Sequence, residues 1–326
     1  MFIEVENLCK MFRVPIREST VSKAIGSFFH REYKEIKAID NINFSVEKGE
    51  MVGYIGPNGA GKSTTIKILS GIMRPDSGIC TVGGIVPWKE RRRYVKNIGV
   101  VFGQRSQLWW DIPAGDSFDV LKSIYRLDDS QYQRRMEKLC DMFDLRDLLK
   151  KPVRSMSLGQ KMRCEIGAAL IHSPQILFLD EPTIGLDAVS KLKMREMLRE
   201  LNRQENITTI LTTHDMDDIE AVCDRVILLQ EGKIAFDGSL DVLKKQYKSK
   251  KRIKLTFSGE LPVINISSAK LINKENNQYI YEYEAEEIST QKLLNELTVG
   301  RAIDDFSVEN EPIEQLVSRI YQGRMV

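Results

Sequence analysis

The sequence predicts an α/β fold built around a buried parallel sheet, with a small α+β domain appended at its C-terminal end. Three observations carry this. Short apolar runs such as Met51-Val52-Gly53-Tyr54-Ile55, Ile176-Leu177-Phe178-Leu179 and Val226-Ile227-Leu228-Leu229 show no polar alternation, as expected of strands covered on both faces. Stretches that read as helix lie between them, at about 65–69, 164–171 and 191–202. Beyond residue 245 the pattern changes to period-two alternation in Ile253-Lys254-Leu255-Thr256-Phe257 and Gln278-Tyr279-Ile280-Tyr281-Glu282-Tyr283. Amphipathic helices are expected there at 290–297 and 313–321, with a strand at 304–308 between them.

The first strand runs straight into Gly56-Pro57-Asn58-Gly59-Ala60-Gly61-Lys62-Ser63-Thr64 and then a helix. This is the strand–Gly-x-x-x-x-Gly-Lys-Ser/Thr–helix context of a phosphate-binding loop. The glycines let successive backbone N–H groups point inward, and the helix N-terminus adds its positive dipole end. Lys62 is placed to reach the β- and γ-phosphates, and the Ser63 hydroxyl to ligate Mg²⁺. A glycine-rich turn with a stray lysine is the competing reading, and the full match in context outweighs it. The chain therefore reads as binding a nucleoside triphosphate.

The run Ile176-Leu177-Phe178-Leu179-Asp180-Glu181-Pro182-Thr183 is an apolar strand ending in two carboxylates. Asp180 is expected to hold Mg²⁺ through water, and Glu181 to act as base toward an attacking water. Upstream lies Met156-Ser157-Leu158-Gly159-Gln160; downstream come Gly185-Leu186-Asp187 and a β-branched strand, Thr208 to Thr213, ending at His214-Asp215. With the phosphate loop, this order and spacing resemble the ATPase subunit of ABC (ATP-binding cassette) transporters, over about residues 1–240.

The resemblance implies a RecA-like core with an antiparallel β layer and a helical subdomain within about 88–170. It implies that Ser157, Leu158, Gly159 and Gln160 form the signature that caps an ATP bound by the opposite subunit. Asp187 then belongs to the D-loop, and His214 is the switch that touches the γ-phosphate. Gln104 links Mg²⁺ to a transmembrane partner, and Phe12 stacks on adenine. The implied partners are a separate transmembrane permease and a second ATPase, identical or related, in an ATP-driven dimer at the cytoplasmic face of a bacterial cell membrane. The phosphate loop and the Gly71-Ile72-Met73-Arg74-Pro75-Asp76-Ser77-Gly78 segment after it are most similar to exporter ATPases.

The chain departs from the family in three places. Leu158 stands where the signature has its first glycine, which restricts the backbone while keeping the N–H. An insertion at about 13–37 reads either as a solvated loop or as a contact with lipid or permease, and leaves Phe12, Phe28, Phe29 and Tyr33 open as adenine-stacking residues. Trp109 and Trp110 follow Gln104; paired tryptophans are commonly core, but here an interface with the permease is favoured. His30 and His172 carry no motif and read as structural.

At 326 residues the chain has room for two domains, drawn here at 1–245 and 246–326. Its 48 basic and 46 acidic residues give a net charge of +2, so there is no whole-chain electrostatic case for nucleic acid. The N-terminus lacks signal-peptide patterning, and the five dispersed cysteines fit a reducing, cytoplasmic setting rather than a disulfide frame or zinc site. The apolar runs fall far short of the roughly 20 residues a spanning helix needs. Residues 248–252, Lys-Ser-Lys-Lys-Arg, read as a solvated basic linker. The rival function is a soluble or membrane-tethered ABC ATPase with a regulatory, translation or DNA role; translation members fuse two cassettes and chromosome or repair members carry coiled coils or zinc modules, none of which this sequence shows, while a membrane-tethered regulator or mechanical signaller stays open.

Overall fold

The computed structural model describes residues 1–15, 33–103, 105–247, 250–259 and 266–322. The chain divides into two compact units, Met1–Ser239 and Leu240–Val326.

The first unit opens with a long antiparallel hairpin, β1 (Ile3–Pro15) and β2 (Tyr33–Val46). Its outer part carries residues 13–15 and 33–37 of the expected insertion as paired strand; residues 16–32, with Phe28, Phe29 and His30, lie outside the described residues. β3 (Met51–Ile55) is buried along its whole length, as its unbroken apolar run predicts. Then come α1 (Lys62–Leu69), β4 (Ser77–Val82), α2 (Arg91–Tyr94) and β5 (Ile98–Phe102). Three helices follow, α3 (Ala114–Tyr125), α4 (Asp129–Phe143) and α5 (Leu158–Leu170), before β6 (Ile176–Asp180), α6 (Ala188–Glu205) and β7 (Thr208–Thr212). The unit closes with α7 (Met216–Val222), β8 (Arg225–Gln230) and β9 (Lys233–Ser239).

Two sheets result. The order β2-β1-β4 is an antiparallel layer. The order β5-β6-β7-β3-β8-β9 is parallel except for β9, which returns antiparallel on β8. Side chains from both sheets meet in one core that includes Ile3, Leu8, Ile42, Tyr54, Ile66, Phe178 and Ile227. β5 falls inside the 88–170 span expected for the helical subdomain, yet it is the edge strand of the parallel sheet; the helices occupy only its later part, from α3 onward. No described helix is long and apolar enough to cross a membrane.

The second unit contains α8 (Leu240–Gln246), β10 (Lys251–Phe257), β11 (Ala269–Glu275), β12 (Gln278–Tyr283), α9 (Thr290–Thr298), β13 (Ile303–Asn310) and α10 (Ile313–Tyr321). Its strands pair antiparallel in the order β11-β12-β10-β13. The alternating residues Ile253, Leu255, Phe257, Tyr279, Tyr281 and Tyr283 form its core with Leu293 and Leu297 of α9. The supposed basic linker is largely part of this unit. Lys250 and Arg252 both pair with Glu282, at 3.2 and 3.1 Å, because β10 brings them beside β12; Lys248 and Ser249 lie outside the described residues. The division also falls earlier than 245, so α8 opens the second unit.

Candidate active site

The phosphate loop leaves the C-terminal end of β3 and turns into α1, the place where parallel sheets hold ligands. Gly61 has φ of 110°, and a Cβ there would lie 2.3 Å from the Ala38 carbonyl oxygen, so only glycine fits between loop and β2. The loop is braced by Gly232, whose N–H donates to the Ala60 carbonyl at 3.1 Å. Inside it the Lys62 ammonium donates to the carbonyls of Gly56 and Pro57 at 2.6 and 3.3 Å. Burial lowers its pKa, while the Glu181 and Asp180 carboxylates oppose that shift. Pro57, Asn58 and Gly59 are exposed at the tip, Ser63 is exposed and Thr64 half-buried on the first turn.

The carboxylates arrive from β6. Asp180 accepts from Thr212 Oγ1 at 2.6 Å and from Ser63 Oγ at 3.3 Å. Glu181 is in the left-handed region with φ of 58°, and its N–H donates to the Thr212 carbonyl at 2.9 Å. That turn brings its carboxylate to 2.5 Å from His214 Nδ1, just beyond β7. Ser63, Lys67, Ile72, Phe102, Gly103, Arg105, Asp180 and Glu181 line a cavity of about 320 Å³. The Ser63 hydroxyl and Asp180 carboxylate are hard oxygen donors on one side of it, a set that suits a small divalent cation keeping several of its waters. Gln104 lies outside the described residues.

Phe12 is half-buried on β1 and opposite Ile36, two residues from Ala38, whose carbonyl abuts Gly61. Tyr33 is 51% exposed at the far end of the hairpin, opposite Pro15. Of the two described stacking candidates, Phe12 and Tyr33, the register places Phe12 nearer the loop.

The signature segment forms the N-terminus of α5. Ser157 Oγ accepts the Gln160 N–H at 3.3 Å, and the Gln160 side chain accepts the Ser157 N–H at 3.1 Å, a reciprocal cap the sequence reading did not assign. It uses the hydroxyl as acceptor and leaves its proton for donation. Leu158 is the first helical residue and 42% exposed, so the backbone there makes no demand for glycine. Gly159 is the restrictive position: a Cβ would lie 2.7 Å from Ser190 Oγ on α6. Asp187 caps α6 by accepting from the Ser190 N–H at 2.9 Å, which holds its pKa low.

Asp218 carries no sequence motif, and only its partners in the fold give it a role. Asp218, 1% exposed on α7, accepts from Arg195 Nε at 2.6 Å, from Thr213 Oγ1 at 3.3 Å and from Thr183 Oγ1. It thereby joins the loop after Glu181 to the strand end before His214. Trp109 and Trp110 are 43% and 56% exposed, so they are not core; Lys161 Nζ sits 5.2 Å from the Trp110 ring centre.

The ABC transporter family model matches residues 39–184. The ABC transporter ATP-binding protein NatA of Bacillus subtilis (strain 168) is 34% identical over 215 residues, covering 66% of this chain and 87% of the relative. The linearmycin resistance ATP-binding protein LnrL of the same organism is 35% identical over 229 residues, covering 70% and 73%. A solved dimer of the ATP-binding cassette MJ0796, in a post-hydrolysis state bound to ADP and Pi, superposes with a TM-score of 0.60 at 25% identity, over 73% of this chain and 98% of that one.

Proposed function

The chain belongs to the family of ABC transporter ATP-binding proteins, and from that premise we propose that it is the motor of an exporter, driving a separate transmembrane permease by ATP-dependent closure of a dimer. The observation that carries the reading is one cavity lined by Ser63, Asp180 and Glu181, with His214 held against Glu181 at 2.5 Å and Asp180 accepting from Ser63 Oγ at 3.3 Å.

In this reading the triphosphate binds the N–H groups of the loop, and Lys62 turns from the Gly56 and Pro57 carbonyls to phosphate oxygens. Ser63 and Asp180 would hold a Mg²⁺ ion, which would supply positive charge to offset that of the phosphates. Glu181 accepts the proton of the attacking water. Nδ1 of His214 holds that carboxylate in place, and Nε2, on the opposite edge of the ring, would face the γ-phosphate. Ser157 and Gly159 would complete the site of the second subunit, a dimer in keeping with the solved MJ0796 assembly. Export is supported by the likeness to LnrL, a linearmycin resistance ATP-binding protein, and attachment to the membrane would come through the permease.

The test is Glu181→Gln. ATP binding should persist while turnover falls by on the order of 10²–10⁴, the usual worth of a general base. Light scattering should show a larger species with Mg-ATP than with ADP. Wild-type turnover in the variant removes Glu181 from the mechanism, and a monomer in every nucleotide state, with the permease present, overturns the dimer.

A further inference from the structure

Helix α5 carries one acidic residue deep in its apolar side. Glu165 is 3% exposed, and burial raises its pKa against the opposing bonds from Ser106 and Gln107. Burying a carboxylate costs far more than burying the small apolar side chains around it on this helix, so its partners matter. They come from one short segment 58 and 59 residues away. The Ser106 hydroxyl donates to one oxygen, and the Gln107 N–H donates to the other at 3.1 Å. The Gln107 side-chain amide donates to the Glu165 backbone carbonyl at 2.8 Å, and the Leu108 N–H donates to Ser106 Oγ at 3.1 Å.

The other end of this segment is tied to the nucleotide site: the Gly103 N–H donates to the Asp180 carbonyl at 2.7 Å. Gly103, tied to the residue before Glu181, and Ser106, tied to the middle of α5, are therefore only three positions apart in the sequence. Along that helix, Lys161 lies one turn before Glu165 and covers Trp110, and Ser157 lies one turn before Lys161. A single stripe of α5 therefore holds the site strap, the exposed tryptophan and the signature serine.

We propose that Glu165 is a positioning residue for ATP turnover: by clamping Ser106 and Gln107 it makes α5, with Ser157 at its tip, follow the Asp180–Gly103 end of the nucleotide site. Glutamine at 165 keeps the shape but puts an amide N–H₂ where one carboxylate oxygen had accepted, and alanine at 106 removes one of the two donors.

The proposal rests on the ATPase reading, and the experiment separates the two. Steady-state hydrolysis of Mg-ATP by the full chain is measured for wild type, Glu165→Gln, Ser106→Ala and the double variant, with melting of each. We expect kcat to fall about tenfold, the worth of one hydrogen bond to a charged group, with the KM for ATP within about twofold. The double variant should be no slower than the slower single one, because both break the same clamp. Losses that multiply, a kcat kept within about twofold in both single variants, or a rise in KM at constant kcat each overturn the proposal. If Glu165→Gln does not fold, Ser106→Ala decides alone, since it trims one hydroxyl from an exposed loop. A wild-type chain that does not hydrolyse ATP overturns the ATPase reading itself, and this inference with it.

Discussion

His172 shows how a half-buried side chain outside the nucleotide site can make stability depend on pH. Its ring stacks on Tyr125 of α3 with centres 3.9 Å apart and planes 4° apart. Nε2 lies 2.9 Å from the Ile98 carbonyl and so carries the proton, while Nδ1 is buried with no hydrogen-bond partner among the described residues. Burial pushes its pKa down to about 4; the Ile98 bond opposes the shift and Arg135 of α4 adds to it. The sign follows from linkage. As pH falls below the ordinary histidine value, the unfolded chain takes up a proton that the folded chain refuses until about pH 4, so stability present at neutral pH is lost across that window. At about pH 5 the loss should be roughly 2 kcal/mol relative to neutral pH. Replacing His172 with Phe keeps the stack and removes the titration. Urea midpoints of both proteins at neutral pH and near pH 5 check this: the acid loss should be smaller in the variant, and an equal loss in both would show that His172 does not carry it.

At the scale of elements, the segment between β5 and α3 is the most informative, because it makes contacts with three other parts of the first unit and still leaves two large rings in solvent. The Trp109 N–H donates to Ser117 Oγ of α3 at 3.1 Å, which fixes the backbone while the rings stay exposed. Replacing both tryptophans with Ala should therefore shift the melting midpoint by no more than about 2 °C, as expected of surface positions. Pull-down by the permease should weaken by roughly 2 kcal/mol or more per ring if they anchor that contact. A collapsed melt would mean that the rings support the fold, and an unchanged pull-down would move the permease surface elsewhere. The phosphate loop and the acidic end of β6 were legible in sequence because each is a contiguous run whose chemistry depends on local backbone geometry. Glu165 and Asp218 were not, because their meaning lies in partners that the fold brings from other elements. The same limit applied to Lys250 and Arg252: a run of cations reads as solvated until the strand pairing that supplies Glu282 is known. Leu158 shows the converse, a departure from a motif that looks costly in sequence and costs nothing at the first residue of a helix.

For the whole molecule, the decisive fact is that each unit completes its own sheet and its own core. The last strand of the first unit, β9, ends at Ser239, and every buried residue of that unit's main cluster lies at or before Leu229. The cluster of the second unit begins at Ile253 and is built from its own strands and α9. A chain that closes both layers before residue 240 has no missing strand to supply, so residues 1–239 should fold without the second unit. All the groups lining the nucleotide cavity also lie in that span. We therefore expect residues 1–239 to melt in one cooperative transition and to bind Mg-ATP within about threefold of the full-length affinity, a difference of well under 1 kcal/mol. Calorimetric melting and equilibrium ATP titration of both chains make the comparison. Retained binding with altered hydrolysis would assign the second unit to control of turnover, whereas a broad, non-cooperative melt or a loss of affinity beyond about tenfold would show that the first unit depends on the second to hold its site.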